Sequence, residues 1–322
     1  MIVAITGGTG FIGRHLVRRH LALGNEVRYL TRQEPRSELN GAVPFAGHLN
    51  SSAASLREFL SGAEVVYHCA AELREEGLMH STNVEGTANL LEAARGEVKR
   101  WVQLSSTGVY GNPRHKDIRE DSAIGPVNAY EKSKTAADEL ISAEAAKSKM
   151  EFVILRPSNV YGTDMPNQSL FQMIRMIDKG LFFYIGKIGA IANYIHVENV
   201  VDALLLCARA SLPANGRIYI VSDHCRLEEF VATVAAALHQ PAARVRLPEG
   251  LIRRLAAIGS SLGKNPLTQS RIDALTNTTV YRSDRIRSEL GYSHRIPMQD
   301  GIAELARFWK NGVYSSAEST ER

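Results

Sequence analysis

Four glycines fall within seven residues of "ITGGTGFIGRHLV", the run from Ile5 to Val17. The segment before them, "MIVAIT", is short, apolar and β-branched, as a buried strand is. The segment after them, "RHLVRRHLALG", repeats its apolar residues at helical spacing and stops at Gly24. A strand that must become a helix within so few residues leaves little choice of architecture. Gly7, Gly10 and Gly13 divide the work of the turn: one permits the tight bend, one lets backbone approach a pyrophosphate, and one lets the helix lie against the strand. The helix start then offers unpaired N–H groups and a partial positive charge to an anion.

The alternation continues along the chain. "NEVRYLTR" reads as a strand, "SAASLREFLSG" as a helix and "AEVVYHCAA" as a third apolar strand. "STNVEGTANLLEAARG" is helical, "VKRWVQLSS" extended, "AYEKSKTAADELISAEAAK" a long helix and "MEFVILRPSNV" extended again. Strands alternating with helices over short links predict α/β architecture: a doubly wound parallel sheet covered on both faces. After Tyr161 the alternation loosens and the last third becomes mostly helical. The expected organisation is a dinucleotide-binding domain over 1–160, to which segments near 194–222 return. A smaller, mostly helical substrate domain takes 161–193 and 223–312, and 313–322 forms a frayed polar tail.

A chain of 322 residues, 44% hydrophobic and 22% charged, has material for a large core. Its net charge of +4 is too mild, and its basic residues too scattered, for a nucleic-acid binder. Cys69, Cys207 and Cys225 lack metal-ligand spacing, so they read as buried thiols in a reducing compartment and no metal is expected. "MIVAIT" has no basic leader, and no apolar run reaches about 18 residues. The expectation is a cytoplasmic enzyme with a small-molecule substrate and no integral membrane segment.

The spacing TGxxGxxG resembles the fingerprint of the extended short-chain dehydrogenase/reductase family, many of whose members are called NAD-dependent epimerases/dehydratases. Further residues carry the resemblance in order: "EVVYHCAA", "NVEGTANLLEAA", "LSSTGVYG", "YEKSK", "LRPSNVYG", "NYIHVENVVDA" and "SELGY". It implies a Rossmann fold and places Gly7, Gly10, Phe11, Ile12, Gly13, Leu49, Ala70, Ala71, Asn83, Pro157 and Ser158 against the cofactor. It also implies catalysis by Ser106, Tyr130 and Lys134, with Ser106, Thr107 and Asn159 at the substrate. Tyr130 and Lys134 stand at i and i+4 and share a helix face. An ammonium beside a phenol lowers its pKa from about 10, so that Tyr130 can exchange a proton with a substrate oxygen. The resemblance takes Lys134 to the nicotinamide ribose and Ser106 to the reacting oxygen. It further implies a homodimer built on the helix at Ser81–Arg95 and the one after Tyr130.

The second strand ends "RYLTRQEPR". No acid stands at its tip to bind a ribose 2′-OH; Arg32 does, followed by Arg36, which favours NADP over NAD, with Glu34 keeping NAD open. Where relatives carry an acid before the adenine-packing residue, this chain has His48-Leu49. Thr107 and Gly108 occupy positions that hold an acidic pair in sugar 4,6-dehydratases, which discounts that reaction. Ala192 stands where nucleotide-sugar enzymes carry an arginine, with Arg175, Lys187, Arg271 and Arg282 as possible substitutes.

The reading is therefore hydride transfer at a secondary alcohol or ketone, such as that of a nucleotide-linked sugar. The alternative is a dehydrogenase or reductase of an apolar cyclic alcohol, similar to the 3β-hydroxysteroid dehydrogenases or dihydroflavonol reductases. Its pocket would draw on Leu170, Phe171, Met173, Phe182 and Phe183, which read equally well as core. A non-catalytic NADP-binding redox sensor is a third reading, opposed by the presence of both Tyr130 and Lys134. "LIRRLAAIGSSL" is amphipathic and basic, and is expected to pack as an ordinary helix rather than meet a membrane surface.

Overall fold

The computed structural model describes residues 1–34, 36–113, 117–147, 150–209, 216–261 and 268–313. Of the expected tail only Val313 lies among them.

Strand β1 (Ile2–Thr6) runs through the glycines into α1 (Phe11–Ala22), then β2 (Glu26–Thr31), β3 (Val43–Ala46), α2 (Ala53–Leu60) and β4 (Val65–His68). One long helical segment follows: α3 (Glu76–His80), a π turn over Ser81–Glu85 and α4 (Gly86–Ala94). Next come β5 (Arg100–Leu104), a 3-10 turn (Thr107–Tyr110), β6 (Asp117–Ile118), α5 (Ala129–Ala145), β7 (Glu151–Pro157) and β8 (Asn159–Tyr161). The chain goes on through α6 (Ser169–Asp178), β9 (Tyr184–Ile185), β10 (Ile191–His196), α7 (Val197–Arg209), β11 (Arg217–Val221), β12 (Asp223–Arg226) and α8 (Leu227–Leu238). It closes with β13 (Arg246–Leu247), α9 (Glu249–Ser261), α10 (Gln269–Thr276), β14 (Val280–Tyr281), α11 (Asp284–Leu290) and α12 (Met298–Phe308).

Seven parallel strands form the main sheet in the order β11-β7-β5-β4-β1-β2-β3. This is the Rossmann arrangement. The strands β1, β4, β5 and β7 lie between two partners and under two helical layers, which is why β1, β4 and β7 read as largely apolar runs, while β5 buries Gln103 among its apolar residues. Alternation along β1 sends Val3 and Ile5 to one face, with Leu16 and Val17 of α1 and Val200 and Val201 of α7. It sends Ala4 to the other face, with α2, α4 and Ile141 of α5. The chain leaves β1 toward β2 on one side and returns at β4 on the other. That reversal opens a crevice at the carboxyl ends of β1 and β4.

Two departures from the sequence reading have local causes. β3 escapes the apolar pattern because it is an edge strand, largely exposed, and tolerates Pro44 there. The helical segment expected from Ser81 starts at Glu76, its first turns being mostly exposed and lacking an apolar repeat.

Beyond the main sheet, β8, β10 and β12 form a three-stranded sheet. It lies in a separate core built largely from α6, α8 and α12 around Phe171, Ile174, Phe230 and Leu305. No helix among the described residues is long and apolar enough to cross a membrane.

Candidate active site

At the first turn, Gly7 takes φ +69°, and a Cβ there would meet the Ala70 nitrogen at 2.7 Å. A Cβ on Gly13 would stand 2.0 Å from the Gly7 carbonyl oxygen. Helix α1 therefore starts directly over the ends of β1 and β4. Its N-cap, Gly10, brings no side-chain hydrogen bond, and no acid occupies its first turn. The first N–H groups have no intrahelical acceptors and stay available for an anion. Thr6 fixes the strand end: its Oγ1 bonds His68 Nδ1 at 2.6 Å and accepts the Ala70 N–H at 3.3 Å. His68 Nε2 bonds Thr87 Oγ1 at 2.9 Å. Burial, aided by the Lys134 charge, pushes this imidazole down to about 3, so it is a neutral structural bridge.

Helix α5 delivers the Tyr130–Lys134 face because its start is pinned by a capping box. The Asn128 side chain accepts the Glu131 N–H at 2.9 Å, and Glu131 Oε2 accepts the Asn128 and Val127 N–H groups. Tyr130 is half-buried beside Ser106, with which it is hydrogen-bonded. Ser106 Oγ also accepts the Gly108 N–H at 3.0 Å. Lys134 is buried, and its Nζ donates to the Leu104 carbonyl at 2.6 Å.

One expectation is corrected here. The Tyr130 phenol is not lowered; burial pushes it up to about 12, against the pull of the Ser106 hydrogen bond. The Lys134 ammonium is spent on a backbone carbonyl instead. Burial lowers Lys134, and Asp138, one turn further along α5, holds it up.

Asp138 belongs to a buried polar cluster the sequence reading missed. Its Oδ2 accepts from Ser105 Oγ (2.8 Å) and from Arg156 Nε (3.2 Å) and Nη2 (3.0 Å). Arg156 Nη1 donates to the Tyr110 hydroxyl at 2.9 Å. Asp138 and Arg156 come from unconnected motifs, "YEKSKTAAD" and "LRPSN", and neither announces its partner.

A cavity of about 1330 Å³ unites most of the expected site. Gly7, Gly10, Phe11, Ile12, Gly13, Arg32, Leu49, Ala70, Ala71, Ser106, Tyr130, Lys134, Pro157, Ser158 and Asn159 all line it. Two residues do not. Thr107, expected at the substrate, is buried and hydrogen-bonded with Tyr281, because the 3-10 turn rotates it behind Ser106. Asn83, expected at the cofactor, is buried behind the wall, joining the Glu72 backbone (2.6 and 3.0 Å) to Ser133 Oγ (2.9 Å). It positions the lining without belonging to it. Of the two readings of the apolar set, the core one describes it: Leu170 and Phe171 are core, Met173 and Phe182 pack against that core, and Phe183 packs on another cluster. The apolar lining comes instead from Leu73, Leu78, Met79, Met165 and Pro166, which carried no signal in the sequence. Cys69 also lines the cavity, but its side chain packs against the main core, where burial pushes the thiol up to about 12.

The profile of the NAD dependent epimerase/dehydratase family matches residues 3–222. The chain belongs to this family. Among proteins similar to this family member is a 4-hydroxy-2-methyl-3-oxo-4-farnesyl-3,4-dihydroquinoline-1-oxide ketoreductase of Stigmatella aurantiaca, 29% identical over 94% of each chain. A UDP-glucose 4-epimerase of Vibrio cholerae is 28% identical over 95% of this chain and 94% of its own. A solved structure of MoeE5 in complex with UDP-glucuronic acid and NAD superposes with a TM-score of 0.77. It is 25% identical, and the match covers 97% of this chain and all of MoeE5.

The residues present fit a nicotinamide dinucleotide. Gly10 lines the cavity, where an added Cβ would meet only the Gly7 oxygen, at 3.1 Å, and otherwise project into the open cradle, and the α1 start is uncapped. Ser158 Oγ, at the cavity wall, is buried without a hydrogen-bond partner in the protein. Among the described residues no cluster of three or more His, Cys, Asp and Glu side chains offers a metal site.

Proposed function

We propose that this family member is an NAD(P)-dependent oxidoreductase that moves a hydride at a secondary alcohol or its ketone. The observation that carries this reading is the meeting of Ser106, Tyr130 and Lys134 in the same cavity as the glycine turn. A bound nicotinamide dinucleotide supplies the hydride donor or acceptor. The α1 N–H groups would hold its pyrophosphate, Leu49 its adenine, and Tyr130, Lys134, Pro157 and Ser158 its nicotinamide half. Ser106 holds the substrate oxygen and Tyr130 exchanges the proton there. Burial pushes the Tyr130 phenol up to about 12 and keeps its proton on it at neutral pH; the same group gives that proton to an alkoxide in ketone reduction and takes it back in alcohol oxidation. Presence of both Tyr130 and Lys134 in the cavity argues against a non-catalytic sensor.

Arg32 lines the cavity while Glu34 and Arg36 do not, which supports NADP over NAD. Titration of NADPH and NADH fluorescence tests this, and Arg32→Glu is expected to reverse the order.

For the substrate we favour an uncharged, apolar cyclic ketone or alcohol over a nucleotide-linked sugar. Arg32 and Lys134 are the only lysine or arginine side chains among the described lining residues. Ala192 is buried core, Arg282 pairs with Asp117 at 2.8 Å, and Arg271 bonds Gln172. Leu73 and Leu78, at the cavity wall, are 59% and 46% exposed. NADPH oxidation followed with cyclic ketones, set against melting-temperature shifts with UDP- and dTDP-sugars, decides between the two. Shifts with the sugars alone would favour epimerisation.

The proposal extends to a cytoplasmic homodimer paired through the helical segment Ser81–Arg95 and α5, a reading that rests on the resemblance. Light scattering of the purified chain tests the pairing.

A further inference from the structure

Helix α9 shows an apolar face to solvent. Leu251, Leu255 and Ile258 are 50%, 55% and 60% exposed. At i, i+4 and i+7 they fall within roughly 60° of one another around the axis. Ile252 and Ala256, on another side, are buried and hold the helix to the protein. The sequence reading expected an ordinary packed helix; only one side of it is packed.

The charges around the stripe have one uncompensated sign. Arg254 is exposed on the same side, within one turn of all three apolar residues, and has no ion pair among the described residues. The acids nearby are both engaged by Arg253, Glu249 at 2.8 Å and Asp273 at 2.7 Å. At the start of α9, Lys187 and Ile188 share a cavity wall with Pro248 and Glu249, and Ile188 is 73% exposed. Apolar side chains interleaved with free cations match the boundary of an anionic bilayer, which takes up the first and attracts the second.

Two other occupants fit less well. Three half-exposed aliphatic side chains supply roughly a third of the ~800 Å² per partner of a stable protein interface, too little for a second copy. The residues after Val313, "YSSAESTER", contain no leucine, isoleucine, valine or phenylalanine to cover the stripe.

We infer that the outer face of α9 docks the protein peripherally on an anionic phospholipid surface. α9 packs on α10 through Arg253, which bonds Gln269 Oε1 at 3.0 Å, and Ser270 of α10 lines the main cavity. Docking by α9 would hold that side of the cavity close to the bilayer, from which an apolar substrate can be drawn.

The test is co-sedimentation of the full-length chain with vesicles of phosphatidylglycerol and phosphatidylcholine, and with vesicles of phosphatidylcholine alone. Wild type is expected to sediment with the anionic vesicles, less so at high salt, and weakly with the neutral ones. Arg254→Glu should lower the partition constant about tenfold. The triple variant Leu251→Ser, Leu255→Ser, Ile258→Ser should abolish sedimentation. Its dinucleotide affinity should stay unchanged, since none of the three residues lines the main cavity. A single Leu255→Trp should add blue-shifted emission on anionic vesicles. Wild type left in the supernatant, or a triple variant that sediments like wild type, overturns the inference. A triple variant that turns an oligomer into a monomer by light scattering gives the stripe to a second copy and overturns it too.

Discussion

Alanine at Gly13 brings a methyl carbon 2.0 Å from the Gly7 carbonyl oxygen and 2.7 Å from its carbon. Comfortable contact begins near ~3.5 Å, so something must move by about 1.5 Å. Neither side yields easily. Gly7 directly follows β1, a strand held between β2 and β4, and its carbonyl accepts the Gly10 N–H at 2.9 Å. Gly13 sits in the first turn of α1, whose Leu16 and Val17 are fully buried. Overpacking costs about 1–3 kcal/mol when side chains can adjust, and an obstruction made of backbone belongs at the top of that range. At about 2–4 °C per kcal/mol, Gly13→Ala should melt roughly 6–12 °C below wild type. Gly10→Ala is the control. Gly10 has φ −74°, open to any residue, and its Cβ would meet only the Gly7 oxygen, at 3.1 Å. Its melting temperature should fall by only about 2–4 °C, since alanine for glycine at an N-cap costs on the order of 1 kcal/mol. Yet its methyl occupies the cradle that Gly10 lines, so NADPH affinity should fall at least about tenfold, a difference of ~1.4 kcal/mol. Thermal melts and fluorescence titration read the two quantities separately. Gly13→Ala melting with wild type, or Gly10→Ala binding NADPH normally, would refute the division between packing glycine and ligand glycine.

Further outcomes follow from the same geometry. Tyr130→Phe should lower the turnover rate by about 10²–10⁴ and leave NADPH affinity within a few-fold, as single-turnover and titration measurements would register. Asp138→Asn strips the buried Arg156 of its counter-charge and should cost about 3–5 kcal/mol in urea unfolding; Asp138→Asn with Arg156→Met should cost less than the single change. His15 ties α1 to the Met165–Asn167 wall of the cavity, bonding Asp164 at 3.0 Å and Glu198 at 2.7 Å. Burial opposes its charge, but the two carboxylates raise it from 6.5 to about 9. A raised histidine stabilises fully below about pH 6.5, and that contribution disappears as pH climbs through 9. Melting temperature should therefore decline over that window in wild type, and His15→Gln should flatten that part of the decline.

The parts of the molecule legible in the sequence are those governed by a few consecutive residues. The glycine turn was readable because a strand cannot pass into a helix so abruptly without residues that lack a Cβ. Tyr130 and Lys134 were readable as a pair because 3.6 residues per turn puts i and i+4 on one face. Central strands such as β1 and β4 declared themselves by apolar runs, whereas the exposed edge strand β3 had no such pattern.

What lies behind or across from those segments was set by distant chain. Thr107 follows Ser106 directly, yet Tyr281 draws it out of the cavity that Ser106 lines. Asn83 stands in a family motif, and its role as a brace depends on Glu72 and on Ser133, fifty positions away. Lys134 looked like the partner of Tyr130 until the Leu104 carbonyl and Asp138 claimed its charge. Leu251 and Ile252 are adjacent aliphatic residues, and only the packing of α9 on α10 turns one outward and buries the other. The sequence alone determined the turn, the period of each element and the residue types at the site, since these obey local sterics. Only the tertiary structure decided which side chains face the cavity, which face the core and which charges neutralise one another, because those depend on contacts between segments far apart in the chain.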